Sequence, residues 1–372
     1  MARYINYKNF ETPPRADSSQ ELVASLTKIV TGCPPRNNYS RHDLHGLYSG
    51  PTSIAYLFLA LSKSSPKLII AHRNPAYWCR KYLYDSHHEV PVTPSRCGVA
   101  NETLARLAVG AVVEQSEILV DLFLRFIPAV LAEDGDKASN EWLYGRAGTL
   151  YLLRLIRTYT PINPNVDEAI TAIIEKILLE GPPWLWHGKE YLGAVHGSIG
   201  IITQMLLSEP KRTMQLKWLV EKLIAAQNPV TENWASSNES GRDHLVQFCH
   251  GAPGFVISLL AVRQHFAQDS QLLEDIDKAI DLGRNCIYQE GLLAKEPCLC
   301  HGATGNTVAL DGKRQEHLMR WCQRDVVEKG LNNGVFRKSD DEWGLLCGEA
   351  GRSWGWMLAE RLGKGMIGYS DI

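Results

Sequence analysis

The sequence predicts an all-α protein assembled from seven repeated helical units. Three observations predict it. A Gly-x-x-Gly turn recurs along the chain, its first glycine standing at 50, 98, 145, 197, 251, 302 and 348, in steps of 46 to 54 residues. Each turn opens onto an apolar helical run, and amphipathic stretches with i, i+3, i+4 spacing lie between the turns. Period-2 alternation appears only in fragments. A fixed period of this length marks a repeat architecture.

The units follow in order. SQELVASLTKIV precedes the turn LYSGPTSIAYLFLAL at Gly50, and RCGVANETLARLAVGAVV follows at Gly98. Ser53 and Asn101 stand where these two units should carry their second glycine, so both units rest on spacing and context. SEILVDLFLRFIPAVLA leads to LYGRAGTLYLLRLI, with Gly145 and Gly148. VDEAITAIIEKILLEG leads to AVHGSIGIITQMLL, with Gly197 and Gly200. MQLKWLVEKLIAAQ leads to FCHGAPGFVISLLAV, with Gly251 and Gly254, and LLEDIDKAIDLGRNCI to LCHGATGNTVAL, with Gly302 and Gly305. EHLMRWCQRDVVEKGL leads to LLCGEAGRSWGWMLAERL, with Gly348 and Gly351. The stretches with a charged face read as outer helices, and the more apolar runs after the glycines as inner ones. Each unit is then an outer helix, a loop and an inner helix. A glycine turn at a helix start allows close backbone approach and leaves N–H groups free to point inward. Two architectures satisfy the pattern: a closed double ring, or α/α toroid, and an open solenoid. Residues 1–372 are expected to form a single domain, with the repeats over roughly 18–362.

Composition narrows the function. The hydrophobic fraction of 45% and charged fraction of 22% are those of an ordinary globular protein. The net charge of −2 offers no basic field for nucleic acid or an anionic membrane. The stretch MARYINYKNFETPPRADSS lacks an apolar h-region, and no segment approaches 18 uninterrupted apolar residues. Neither a secretory signal nor a membrane span is expected. Nine scattered cysteines argue against a disulfide framework and for a reducing compartment such as the cytoplasm.

The heptapeptides FCHGAPG and LCHGATG share Cys-His-Gly-x-x-Gly. Two cysteines and two histidines could close a structural metal site, or some of them could hold an open catalytic metal. Cys249, Cys300 and His301 are soft donors suited to zinc. Adjacent Cys and His can both ligate from a loop leading into a helix, where this motif sits. The repeat places Cys249 and Cys300 at equivalent positions of neighbouring units, so they should meet. Cys33, Cys79, Cys286 and Cys322 read as small buried hydrophobes, and Cys298 and Cys347 are left outside the metal site. His196, in AVHGSIG, is either a core or capping histidine or an acid–base group facing the same cavity.

YGRAGTLYLL, HGSIGI, CHGAPG and CHGATGN resemble the lanthionine synthetase C-like (LanC-like) proteins, especially their free-standing eukaryotic branch. The resemblance covers roughly residues 18–362. It implies a closed seven-fold α/α toroid with one zinc at its centre. The implied ligands are Cys249, Cys300 and His301, with the fourth position left to water or a substrate thiol, and His250 not a ligand. The implied catalytic histidine is His196. Lys295, five residues before Cys300, and Arg337, eleven before Gly348, would hold glutathione, with Arg3 near the N-terminus a further candidate. The implied activity is addition of the glutathione thiol to dehydroalanine or dehydrobutyrine in peptides or proteins, forming a thioether.

The chemistry suits such residues. Zinc deprotonates a thiol that is otherwise mostly protonated at neutral pH. Attack on the β-carbon leaves an enolate, which a histidine can protonate at the α-carbon. Cations such as Lys295 and Arg337 can dock the two carboxylates of glutathione. The competing reading is a zinc-containing scaffold that binds glutathione, a peptide or a small signal molecule without turnover. On either reading a cytoplasmic location leaves room for peripheral membrane association. A third is an α/α-barrel glycosidase, which needs a carboxylate pair; Glu141 and Glu349 lie near motif turns. One departure concerns substrate handling: bacterial members carry an arginine shortly before the first zinc cysteine, where Leu245 stands here and Arg242 is the nearest arginine.

Overall fold

The computed structural model describes residues 3–84, 89–133, 135, 138–239 and 243–372. Arg242 lies outside them. Helix α1 (Ser18–Gly32) is capped by the Asp17 side chain. Six helical pairs follow in chain order. They are α2 (Pro51–Ser64) with α3 (Pro75–Tyr84), and α4 (Glu102–Glu114) with α5 (Glu117–Leu124) and the short α6 (Ile127–Leu131). Next come α7 (Arg146–Tyr159) with α8 (Pro164–Leu179), and α9 (Ser198–Ser208) with α10 (Thr213–Ala225). Then α11 (Ala252–Val262) pairs with α12 (Ser270–Glu290), and α13 (Ala303–Ala309) with α14 (Gly312–Met319), after which α15 (Arg324–Asn332) leads to α16 (Glu349–Ala359). Among the described residues there are isolated β-bridges but no strand. Among the described residues no helix is long and apolar enough to cross a membrane.

The two kinds of helix differ in burial as their sequences require. On α8 the buried residues are Val166, Ala169, Ile170, Ile173, Ile174 and Ile177, a single stripe at helical spacing. On α7 every residue from Arg146 to Ile156 is buried. Helices α2, α4, α7, α9, α11, α13 and α16 are the inner ones. Each packs on the next, and α16 packs back on α2. The ring is therefore closed, which decides between toroid and solenoid. The outer partner of α16 is α1, so the first helix of the chain completes the seventh unit.

The observed unit is an inner helix followed by its outer partner, the reverse of the order expected from sequence. The cause is loop length. Only residues 115–116 join α4 to α5, and 160–163 join α7 to α8, which forces antiparallel neighbours. The connection from each outer helix to the next inner one is long, as at 180–197 and 226–251, and ends in the glycine turn.

The first motif glycine is the N-cap of six inner helices: Gly50, Gly145, Gly197, Gly251, Gly302 and Gly348. The second unit departs from this. There Asn101 caps α4, accepting from Leu104 N at 3.0 Å, and Gly98 lies three residues upstream. The second glycine serves close approach. A Cβ at Gly305 would overlap the carbonyl of Leu299, and one at Gly254 that of Phe248, in each case six residues back.

These turns knit into a collar of backbone hydrogen bonds. Cys249 N donates to Cys300 O (3.2 Å), Cys300 N to Leu346 O (2.8 Å), and Leu346 N to Tyr48 O (3.0 Å). Leu47 N then donates to Val99 O (2.8 Å), Val99 N to Trp142 O (3.3 Å), and Trp142 N to Val195 O (3.0 Å). The collar holds the loops of all seven units at one mouth. Below it, residues 366–372 fill the axis of the ring. Tyr369 OH reaches Ala194 O at 2.5 Å. Arg154 Nη2 and Gln204 Nε2 donate to Gly368 O at 2.7 and 2.9 Å. Tyr56 and Tyr151 both donate to Asp371 Oδ2 at 2.6 Å.

Candidate metal and thiol site

The collar explains why the candidate residues converge. The position two before the N-cap glycine carries Cys249 and Cys300 in units five and six. The position one before it carries Tyr144, His196, His250, His301 and Cys347 in units three to seven. Neighbouring units bring equivalent positions side by side.

Donor atoms of Cys249, Cys300 and His301 all lie within 4.8 Å of one another. Both cysteines are buried, and the His301 side chain is 12% exposed. Gln247 Nε2 donates to Cys249 Sγ at 3.0 Å. Hydrogen bonding from Cys300, helped by His301, holds the Cys249 thiol well below its ordinary range against the effect of burial. Cys249 and Cys347 push Cys300 well above that range. His301 Nε2 lies 3.1 Å from Asp340 Oδ2 but out of hydrogen-bond alignment, so this buried nitrogen has no hydrogen-bond partner. Two thiols and an imidazole gathered within one ion's reach, with a ring nitrogen left over, fit a soft divalent cation. The cysteines read as small hydrophobes behave differently: burial is the largest effect on each, pushing Cys79, Cys286 and Cys322 up to about 12 and raising Cys33.

His196 sits across the mouth. Its Nδ1 is 2.8 Å from Glu141 Oε2, and its ring stacks on Trp186 at 3.9 Å with an interplanar angle of 4°. Glu141 is 1% exposed and also accepts from the backbone N–H groups of Leu143, at 2.9 Å, and Tyr144. The imidazole is fixed on one edge and one face, which leaves Nε2 for other chemistry. His250 is not in the three-donor group; its ring lies 5.9 Å from that of His196, and burial lowers its basicity.

On the other side of His301 lies a cavity of about 320 Å³ walled by Arg3, His244, Gln247, Lys295, His301 and Arg337, with Leu245 beside them. Three backbone segments build its cationic wall. Ile5 N donates to Leu292 O (2.7 Å), Ala294 N to Arg3 O (2.9 Å), Arg337 N to Ala294 O (2.9 Å) and Glu296 N to Arg337 O (2.8 Å). This pairing brings together Arg3, Lys295 and Arg337 from three distant parts of the chain. Lys295 Nζ pairs with Asp340 Oδ2 at 2.6 Å.

Sequence reasoning missed the partners. Glu141 is visible near a turn, as is Glu349, but nothing in the sequence marks the two as a pair. Glu349 is buried in a separate network with Arg352, Lys28 and Ser25 between α16 and α1. Among the described residues these two carboxylates do not form a pair. Asp340 follows Arg337 by three residues in RKSDD, a spacing that gives no signal until the bridge pairing around Lys295 is seen.

Comparison with known proteins matches this architecture. The model of the lanthionine synthetase C-like protein family matches residues 22–357. A zebrafish (Danio rerio) protein named glutathione S-transferase LANCL1 is 30% identical over 363 residues, spanning 89% of this chain and 84% of its own length. The Arabidopsis thaliana LanC-like protein GCL1 is 29% identical over 252 residues, 61% of this chain and 56% of its own. The solved structure of nisin cyclase superposes with a TM-score of 0.64 at 14% identity, covering 93% of this chain and 95% of that one, and so shares the fold.

Proposed function

The chain belongs to the lanthionine synthetase C-like family, and from that premise we propose that it is a zinc-dependent enzyme adding the glutathione thiol to dehydroamino acids in peptides or proteins. One observation carries the reading. His301 belongs at once to the Cys249–Cys300–His301 cluster and to the wall of the cavity that holds Arg3, Lys295 and Arg337. A docked anionic thiol would therefore meet the donor cluster directly. The name of the zebrafish relative supports glutathione as that thiol.

When bound, zinc supplies a positive centre that converts an incoming thiol to the thiolate. Cys249 and Cys300 as thiolates, with neutral His301, already balance a double positive charge, so an added sulfur stays electron-rich. Arg3, Lys295 and Arg337 pair with the two glutathione carboxylates, and Asp340 offers a partner for its ammonium group. His196 then delivers a proton to the α-carbon from Nε2. Glu141 at Nδ1 balances the charge of the imidazole while it carries both protons, and Trp186 keeps the ring in one plane.

The test is incubation with glutathione and a dehydroalanine peptide, with and without chelator, read by mass spectrometry. Adduct should form above the uncatalysed rate, vanish with chelator and return with zinc. A yield equal to the uncatalysed rate and indifferent to chelator overturns the enzyme; glutathione binding alone would then favour the scaffold.

A further inference from the structure

Cys347 is a buried thiol that the proposed reaction does not use. It stands one residue before Gly348, the place that His301 holds before Gly302. Its backbone is fixed against Cys300: Cys300 N donates to Leu346 O at 2.8 Å, and Ser339 Oγ donates to Cys347 O. Its thiol neighbours the Cys300 thiol and Tyr48. It is not one of the three donors within 4.8 Å, and every cysteine of the chain is a free thiol. Cys300 thus stands between two sulfurs, Cys249 and Cys347. Metal binding uses the first pairing. A disulfide would use the second, and the same Cys300 cannot serve as thiolate ligand and disulfide at once.

We propose that Cys300 and Cys347 are a disulfide-forming pair through which glutathione disulfide strips the metal from the site. This rests on the reading of Cys249, Cys300 and His301 as metal ligands. Cys300 is 5% exposed and its neighbour His301 lines the cationic cavity, whereas Cys347 is 0% exposed. That difference orders the steps. The Cys300 sulfur attacks one sulfur of glutathione disulfide; a protein–glutathione bond forms and one glutathione thiolate leaves. The Cys347 sulfur then attacks Cys300 Sγ, expels the second glutathione thiolate and closes the Cys300–Cys347 bond. Two protein sulfurs lose two electrons in total, and two glutathione thiols gain them. Their two protons come from the protein thiols or, where Cys300 is already ionised on the metal, from solvent. With Cys300 consumed, only Cys249 and His301 remain of the donor set.

The experiment treats the reduced, zinc-loaded full chain with glutathione disulfide. Released zinc is followed with a chromogenic chelator, and disulfides are mapped by tandem mass spectrometry, which separates Cys300 from Cys298 on the same peptide. Wild type should release about one equivalent of zinc, yield a Cys300–Cys347 cross-link, and recover both with dithiothreitol. Cys347→Ser should stop at glutathionylated Cys300 with no intramolecular cross-link. A Cys249–Cys300 or Cys298–Cys347 cross-link, no cross-link at all, or zinc retained after the Cys300–Cys347 bond has formed would overturn the proposal. If the reduced protein holds no zinc, the metal reading fails, and the stripping proposal with it. The thiol pairing itself is then still decided by the peptide map.

Discussion

The mouth and the axis of the ring differ in how their polar groups are met. Along the axis, Asp371 takes hydrogen bonds from two tyrosines, and Gly368 O from Arg154 and Gln204. These atoms are satisfied by one another, although Arg154 Nε is buried without a hydrogen-bond partner. At the mouth, His301 Nε2 and His250 Nδ1 are buried without hydrogen-bond partners, and three thiols crowd together unbridged. Buried polar atoms usually find partners within the protein. A cluster that does not is arranged for something that arrives from outside, so the mouth reads as chemistry and the axis as architecture.

The sharpest way to break this contrast is Cys300→Ala. Zinc content, read by atomic absorption, should fall to background, and thiol addition should drop about 10³-fold, equivalent to about 4 kcal/mol of barrier. The far-UV circular dichroism should keep its helical form, because the inner ring is closed by side-chain packing. Next, His196→Asn should lower kcat about 10²-fold or more while leaving zinc content and the KM for glutathione unchanged. A parallel loss of zinc would make His196 part of the donor set instead.

On the axis the expected loss is of stability. Tyr151→Phe removes one of the two donors to Asp371 and should reduce the unfolding free energy by about 1–2 kcal/mol in a urea titration, with zinc content intact. An equal loss of zinc would show that axis and mouth are not separable. Smaller still in its effect on binding, Lys295→Ala should raise the KM for glutathione about tenfold, worth about 1.4 kcal/mol, with kcat nearly unchanged.

Proton binding gives the axis a signature of its own. Burial raises the Asp371 carboxyl above its ordinary range, against the hydrogen bonds from Tyr151 and Tyr56. A raised acid binds its proton more tightly when folded. Its contribution is therefore complete below the unfolded value of about 3.9 and is lost as pH rises through the folded value. Asp371→Asn should then gain thermal stability relative to wild type as pH increases, measured by differential scanning calorimetry from pH 4 to 8. A constant difference across that range would place the carboxylate among ionised, fully compensated groups.

Most of the mouth is legible in the glycine period itself. Equivalent positions in neighbouring units must meet, so Cys249 and Cys300 can be paired from their motifs alone. What stays hidden depends on contacts that have no period. Glu141 lies in the same kind of loop as many polar residues, and only its bond to His196 separates it from them. Arg3, Lys295 and Arg337 are joined by a few bridges between irregular segments, which leave no alternation to read. Residues 366–372 are too short for a helical or strand pattern, so no periodicity places them on the axis. Cys347 is visible as a thiol beside a motif glycine. It stands in the register of His301, and its place beside Cys300 becomes visible only through the backbone bond from Cys300 N to Leu346 O.

The packing of α1 on α16 has a consequence for how the protein is made. In an open repeat array each unit can settle on the one before it as synthesis proceeds. Here the seventh inner helix takes its outer partner from the opposite end of the sequence, more than 300 residues away. The nascent chain must keep α1 waiting, or bound elsewhere, until almost everything else has left the ribosome. Long-range closure of this kind slows folding and leaves apolar surface uncovered in the meantime. The α1 stripe of Leu22, Leu26, Ile29 and Val30 is then a natural place for a chaperone to hold the unfinished ring.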